Sequence, residues 1–595
     1  MFLYLLIKFK KKCRLKMNKK WEILAPDKIL VKNICRQVKC SPVTASILVN
    51  RSIVTPEQAH NFLNPSLSNI RSPFSIKDMD IATRRIYDAI TGNEKILIFG
   101  DFDVDGVTAT VILLEFLRYC GADASYYIPH RTKEGYGFQK EHIEKIASPA
   151  GIDLIITVDC GSDSINAIKA AGYAGIDVII TDHHNIKERP EHAVAVINPK
   201  QNGCESGFNN LAGVGVAFYL LISLRKHLRD NGFWQNMPEP DLKNLCDLVA
   251  LGTVADIVPL VDENRILTKT GIDIINSQAV SSDSPFSRPG IKALVDASKI
   301  NENSVDSGDI SFKLAPRINA VGRIGHANTA VELLTTKNLQ SAKDLSMALE
   351  NANTQRQNIE KILSDKILQH IEINPHLLKS NSLVLAGQNW HEGVLGIVAS
   401  RLVKKFYVPV VLISINGSSG KGSARSIAGF NIYKGFDECS EHLESFGGHT
   451  MAAGLIVRPE KITIFKKKFE KTVSEMTRPD DFVPTINIDR ELKFDEISSN
   501  FIDALECLKP FGQGNPEPLF MAKNVKVLFS KIVGEKHRKM LLQQPWGKTD
   551  NKINAIYFNI DPDAPLSDYY ERIAFTLQWN HWKGSKTAQI IIKAS

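Results

Sequence analysis

Three stretches of the chain place acidic and imidazole side chains where apolar runs end. KILIFG (95–100) leads into Asp101, Asp103, Asp105 and Gly106, DLIITV (153–158) into Asp159, Cys160 and Gly161, and DVIIT (177–181) into Asp182, His183 and His184. Gathering so many carboxylates is costly, because like charges repel and raise one another's pKa. A bound divalent cation is the simplest offset. Asp and His ligands without Cys favour Mn2+ or Mg2+ over a structural zinc, and the histidine tilts the choice toward Mn2+. Two ions about 3.5–4 Å apart would suit in-line attack of an activated water on a phosphodiester, with both stabilising the charge on the phosphorus oxygens.

The elements that must position these groups are legible too. KILIFG, DLIITVD, DVIITD and AVAVINP (193–199) are short and β-branched and read as buried strands, while VTATVILLEFLRYCG, KEHIEKIA and DSINAIKAAGYAG between them read as helices. Such alternation predicts a doubly wound, mostly parallel sheet, whose strand carboxyl ends converge on one crevice. Other readings of the same residues exist. D-x-D-x-D-G opens a calcium EF-hand, but that loop needs Glu at its twelfth position, which here is Ile112, and a helix rather than a strand before it. An Asp ending a strand is often only the N-cap of the next helix, and His183 and His184 could be one core and one surface residue.

Beyond residue 200 a mainly helical stretch continues to about 335, including LAGVGVAFYLLISLRKHL and LKNLCDLVALGTVADIVPL. From Ser341 to Ile373 apolar residues recur at three- and four-residue spacing without Gly or Pro, which predicts one helix of about 50 Å, a strut between two lobes. SLVLAG (382–387) and VPVVLISI (408–415) flank the helical VLGIVASRLVKKF and indicate a second α/β domain. After TRPDD (477–481) the chain is β-rich and carries the Pro/Gly-rich LKPFGQGNPEP (508–518), which suggests a small closing barrel. The expected division is an extension at 1–20, a first α/β domain at 21–335, a connecting helix at 336–375, a second α/β domain at 376–476 and a barrel at 477–595.

At 595 residues the chain has room for three or four domains, and its composition argues against a disordered, fibrous or membrane-spanning class. The formal charge of +8 says little about partners, because the eight basic and no acidic residues of 1–20 supply all of it. That segment puts MFLYLLI before its lysines, the reverse of a secretory signal, and its apolar part is far short of a membrane span. Translation from Met17 is one expectation; a basic arm for a membrane surface or nucleic acid is the other. Nine scattered cysteines with no C-x-x-C pair fit a reducing cytoplasm.

DFDVDG (101–106), VDCG (158–161), DHH (182–184) and GTVADIVPL (252–260) resemble the four motifs of the DHH phosphoesterases, in the order and spacing of the RecJ single-strand-specific DNA exonucleases. APRINAVGR (315–323), NWHEGVLGIVASRL (389–402), SARS (423–426) and GGHTMAAG (447–454) extend the resemblance, the last typical of the DHH-associated domain. LKPFGQGNPEP resembles the lead into an OB-like nucleic-acid-binding barrel. The similarity covers nearly everything from Trp21 to Ser595.

The resemblance implies roles for particular residues. Asp101, Asp103 and Asp105 occupy the first metal motif, Asp159 would bridge two ions, and His183 and Asp256 would complete the set, with Asp159, His183 and His184 as the catalytic residues. His184 would orient a ligand or contact the scissile phosphate, and Asp182 would support it. Arg131, Arg317, Ser423 and Arg425 match positions expected to hold a 5′-terminal phosphate, which a guanidinium fork suits; a surface hairpin is the alternative for SSGKGSARS. His449 would face substrate, or GGHTMAAG would serve packing alone, and Trp390 could stack on a base or simply pack. The implied activity is a Mn2+- or Mg2+-dependent 5′→3′ exonuclease on single-stranded DNA, monomeric, cytoplasmic and not membrane-bound. A cleft between the lobes too narrow for duplex would give its strand selectivity. Single-strand-binding protein and a helicase are its implied partners, and recombination and mismatch repair its implied setting. A small-substrate DHH phosphodiesterase and a non-catalytic single-strand-binding relative are the rivals; length and tail speak against the first, the intact acid and histidine set against the second.

Overall fold

The structure, a computed structural model, describes residues 19–131, 133–135, 137–277, 286–301, 304–534, 536–545, 552–560, 566–582 and 585–595. The extension expected at 1–20 falls, up to residue 18, outside the described residues. Residues 23–322, 326–350 and 487–595 form one compact unit, and residues 323–325 with 351–486 belong to another.

The first unit opens with three short helices, α1 (Lys28–Val38), α2 (Pro42–Asn50) and α3 (Pro56–Leu63). Asp27, Ser41 and Thr55 each cap one of them through a side-chain oxygen, which stops the chain from fraying between turns. A five-stranded sheet follows: β1 (Lys95–Gly100), β2 (Asp123–Tyr127), β3 (Leu154–Val158), β4 (Asp177–Thr181) and β5 (Ala195–Ile197). All its pairings are parallel, in the order β2-β1-β3-β4-β5. The expected strands form. β2 was not expected, because DASYY lies at the sheet edge with little burial and so carries almost no apolar pattern.

Strand order reverses between β1 and β3, the switch point at which an open parallel sheet leaves a ligand crevice. Helix α4 (Val104–Tyr119) leaves that point and is buried along most of its length, as its almost uniformly apolar sequence requires. α5 (Ile165–Tyr173), α6 (Gly213–Asp230) and α7 (Cys246–Ala255) complete the elements around the crevice. Further along lie α8 (Ala315–Ile324) and α9 (Leu339–Ile373). α9 has 35 residues, about 52 Å at 1.5 Å per residue, the uninterrupted helix expected from its spacing. No helix among the described residues is long and apolar enough to cross a membrane.

In the second unit α10 (Glu392–Phe406) follows β6 (Leu383–Gln388) and precedes β7 (Val410–Asn416) and β8 (Ser419–Arg425), with β9 (Ser445–Gly448) and β10 (Ala452–Val457) beyond. The sheet runs β9-β10-β8-β7-β6, parallel only between β6 and β7. Leu363, Ile367 and Ile371 of α9 pack with Leu383, Leu385, Leu395 and Val398 in its core.

The C-terminal strands β11 (Phe520–Val533), β12 (His537–Gln543), β13 (Lys552–Tyr557), β14 (Tyr569–Trp582) and β15 (Ser585–Ala594) close into a barrel, because β11 pairs with both β12 and β14. Its core contains Ile34, Val43, Ile47 and Leu48 of α1 and α2 beside Phe520, Leu542, Phe575 and Ile590. The segment that sequence placed with the first α/β domain thus buries its apolar faces against the barrel, a long-range pairing that periodicity does not encode. Arg265 reaches the same region: fully buried, it donates to the carbonyl oxygens of Phe62, Cys507 and Leu508 and lies 3.8 Å over the Phe62 ring.

Candidate functional site

Asp101, Asp159 and Asp182 occupy the carboxyl ends of the adjacent strands β1, β3 and β4, each still in the sheet ladder through its backbone N–H. Asp103 begins α4 as its N-cap, accepting from the N–H groups of Asp105 and Gly106 at 2.9 and 3.1 Å. The capping alternative is therefore realised at Asp103, but capping does not remove it from the cluster. One ligand atom from each of Asp101, Asp103 and Asp159 lies within 4.8 Å of the others. The same is true of Asp105, His183 and Asp256, and of Asp159, His183 and His184.

Asp105 points to the start of α6, where Gly213 and Val214 donate backbone N–H groups to its two oxygens at 2.6 and 2.8 Å. Gly213 can stand there only because it lacks a side chain: a Cβ would lie 2.7 Å from Cβ and Oδ1 of Asp159. Asp159 itself takes the left-handed conformation, φ +58°, a strained state for a non-glycine residue that its neighbours must hold. Asp256 ends α7 and brings its carboxylate to 3.5 Å from Nε2 of His183.

The electrostatics follow from burial and from the crowding of like charges. Burial, and then repulsion from its neighbours, holds Asp101 and Asp159 well above the usual carboxylate range. The same causes push Asp105 up to about 7 and Asp256 up to about 9. Burial, then the charge on His184, pushes His183 down to about 3 and so keeps it neutral, as a metal-ligating imidazole must be. Burial works against the charge on His184, but its hydrogen bond to Asp182 wins and lifts it to about 9. Oδ1 of Asp101, Oδ1 of Asp159 and Nε2 of His183 are buried with no hydrogen-bond partner. Orphaned acceptors of this kind in one cluster fit a divalent cation and little else.

Asp182, expected to support His184, is hydrogen-bonded to both histidines. Its Oδ1 accepts from the N–H groups of His183 and His184 at 2.7 and 3.1 Å and from Nδ1 of His184 at 2.8 Å. Sequence reasoning missed Asn198, whose Nδ2 holds both the His184 carbonyl and Ser162 Oγ at 2.9 Å. It also missed Lys200, whose ammonium faces Asp256 and Asp182 and is held below the usual lysine range by burial. Gly213 was seen only as part of a helix. Their one sequence signal is position, just after a strand or at the start of a helix near the crevice.

The expected phosphate-facing residues are distributed over both units. Arg131 is half-buried beside the first metal motif, 4.5 Å above the ring of Phe102 and within the field of Asp101 and Asp103. Arg317 donates to Glu350 and to the Lys313 carbonyl, so its fork is already occupied by a carboxylate. In the second unit Arg425 and Ser423 share β8, which does form the hairpin with β7, and Arg425 donates to Ser423 Oγ at 3.4 Å and to the Ala424 carbonyl at 2.8 Å. Both lie against Gly396 of α10, where a Cβ would come within 2.7 Å of the guanidinium. His449 is exposed in the turn between β9 and β10, its N–H donating to the Ala452 carbonyl. Trp390 is half-buried against the β6–β7 core, which accounts for it by packing.

Comparison with known proteins places this geometry. Residues 95–253 match the DHH family, N-terminal domain, residues 379–475 the DHHA1 domain and residues 488–594 the RecJ OB domain. The chain is 35% identical over 585 residues to the single-stranded-DNA-specific exonuclease RecJ of Bacillus subtilis, covering 96% of this chain and 70% of that protein. It is 36% identical over 536 residues to its Salmonella typhimurium counterpart, covering 87% and 90%. The crystal structure of RecJ in complex with Mn2+ from Thermus thermophilus superposes with a TM-score of 0.80 at 26% identity, covering 96% of this chain and 79% of that one. The Mg2+ complex from the same organism gives 0.74 at 26% identity, covering 96% and 78%.

Proposed function

The chain belongs to the RecJ family of single-stranded-DNA-specific exonucleases, and from that membership we propose that it degrades single-stranded DNA from the 5′ end, releasing 5′-mononucleotides with the help of two Mn2+ or Mg2+ ions. The observation that carries the metal dependence is the set of orphaned buried atoms on Asp101, Asp159 and His183. Asp101, Asp103 and Asp159 would hold one ion and Asp105, His183 and Asp256 the other, with Asp159 shared, since its Oδ1 lies 3.1 Å from His183 Nε2. Divalent cations bound there would neutralise the phosphodiester oxygens and lower the pKa of a water.

The protein's own groups supply the rest. Asp182 keeps His184 charged and aimed, so that its imidazolium can donate to the scissile phosphate as charge develops there. Arg131 offers a donor fork beside the first motif for the 5′-terminal phosphate, pre-oriented by the Phe102 ring. In the second unit Ser423, Arg425 and His449 are the proposed DNA contacts. Arg317 would have to exchange Glu350 for a phosphate to join them. The family resemblance extends the proposal to recombination and repair, with single-strand-binding protein and a helicase as partners.

Digestion of a long 5′-phosphorylated single strand with Mn2+ or Mg2+, beside a duplex and a 3′-labelled strand, tests this. Mononucleotides released from the 5′ end of the single strand alone are expected. Cleavage confined to short oligonucleotides or cyclic dinucleotides, or binding without hydrolysis, would replace the proposal by one of its rivals.

A further inference from the structure

The segment that carries Asp256 also builds a second feature. Val254, Ile257 and Leu260 form one wall of a pocket of about 210 Å³ closed by Phe312 and by the turn at Phe511 and Gly512. Its floor is core: Val254 and Leu260 are buried. Its rim is not, for Ile257 is 71% and Phe312 80% exposed. Ile257 is also held at φ +61°, a real outlier for a β-branched residue and the kind of strain that clusters at ligand sites. The turn opposite is fixed rather than loose, because Leu260 N–H donates to the Gln513 carbonyl at 2.7 Å and Ser307 Oγ to the Phe511 carbonyl at 2.6 Å.

We propose that this pocket receives a nucleobase of the strand being degraded, with the Phe312 ring as its stacking face and Ile257 as the opposing edge. The proposal rests on the reading of Asp256 as a metal ligand. Asp256 and Ile257 are consecutive, with Cα atoms about 3.8 Å apart, so one short segment carries both a candidate metal ligand and a wall of the pocket. The volume is below the roughly 300–1,000 Å³ of sites for larger ligands, which suits one planar ring rather than a peptide segment or helix. The lining carries no charged side chain, only apolar groups with Ser311 and Gln513 at the sides. Such a surface grips the face of any base and does not read its identity, as an enzyme that digests every sequence requires.

The test compares the wild-type protein with Phe312→Ala and Phe312→Trp on 5′-phosphorylated strands carrying a single abasic residue at successive positions from the 5′ end. Steady-state KM and kcat are measured with Mn2+, and strand affinity is measured separately by fluorescence anisotropy in EDTA. Phe312→Ala should raise KM by about 5- to 150-fold, the range for loss of one stacked base, with a smaller effect on kcat, and Phe312→Trp should restore it. One abasic position should impose the same loss on the wild type and add nothing in Phe312→Ala. Equal KM in wild type and Phe312→Ala, or abasic penalties identical in the two, would overturn the proposal. A Phe312-dependent affinity without hydrolysis would uphold the pocket and sink the exonuclease reading, and hydrolysis with a Phe312-independent KM would do the reverse.

Discussion

Nε2 of His183 lies 3.1 Å from Oδ1 of Asp159, and both atoms are buried without a hydrogen bond. Two polar atoms brought this close in a low-dielectric site, yet not aligned to share a proton, are arranged for a third partner. Asp159 is the residue on which the arrangement turns. It is strained, repelled by Asp105, Asp103, Asp256 and Asp101, and crowded by a helix that only glycine lets approach.

Asp159→Ala should therefore abolish metal-dependent hydrolysis by more than about 10³-fold, beyond the roughly 10–100-fold expected from removing a group that merely orients a ligand. It should not destabilise the metal-free fold, because it removes a buried carboxylate from a repulsive cluster. Single-turnover digestion with Mn2+ and thermal melting in EDTA check both halves; retained activity would defeat the assignment of this residue.

Cation binding should be strongly proton-linked. Asp105 is raised to about 7 and Asp256 to about 9 from the ordinary aspartate value of 3.8, so in the metal-free protein they hold protons over that window that the unfolded chain has lost. More protons bound in the native state means that metal-free stability falls as pH rises from about 4 toward 9. A cation needs those carboxylates ionised. Mn2+ should accordingly bind more tightly and raise the melting temperature more at pH 8 than at pH 6, with proton release measurable by calorimetry in buffers of different ionisation enthalpy. A shift independent of pH would contradict the clustering of these groups.

Why some of this was legible in sequence and some was not follows from the residues. Asp101, Asp159 and Asp182 end apolar strands, so local pattern placed them, and the parallel sheet then brought them together without further information. Asp256 ends a helix, and only its resemblance to a family motif drew attention to it. Asn198, Lys200, Gly213 and Gly396 act through contacts 14 or more residues away in the chain, and nothing in their own neighbourhoods distinguishes them from ordinary loop or helix residues. The same limit hid the shared core of α1, α2 and the barrel, where residues such as Ile47 and Phe520 meet across more than four hundred positions.

Asn198 tests that hidden layer. Its amide joins the His184 carbonyl to Ser162 Oγ, whose own backbone N–H donates to Asp182 at 3.0 Å. Asn198→Ala leaves a buried carbonyl unpaired, which costs about 1–3 kcal/mol, and loosens the carbonyl end of the His184 loop. Urea unfolding should show that loss, while kcat falls about 10–100-fold and the affinity for Mn2+ changes less than in Asp159→Ala. Asn198→Asp should not rescue activity, since a carboxylate cannot donate to either partner.

Arg265 tests the coupling between the ends of the chain. No carboxylate among the described residues pairs with it; carbonyl oxygens from Phe62, Cys507 and Leu508 take its donors, and the Phe62 ring covers its face. Guanidinium tolerates such a site because its charge is delocalised and weakly hydrated. Arg265→Met keeps the stem's packing but takes their donor from the Phe62 and Cys507 carbonyls, while Leu508 keeps Asn515 Nδ2 at 2.8 Å; at about 1 kcal/mol or more for each carbonyl buried unpaired, a destabilisation of about 2 kcal/mol or more is expected. Arg265→Lys should recover only part, since an ammonium cannot serve carbonyls spread around a planar fork. Because Phe62 ends the N-terminal helices and Cys507 and Leu508 lead into the barrel, hydrogen exchange should rise in α3 and around residues 507–515 before it rises in β1 and β3. Uniform exchange across the unit would instead mean that Arg265 contributes to global packing alone.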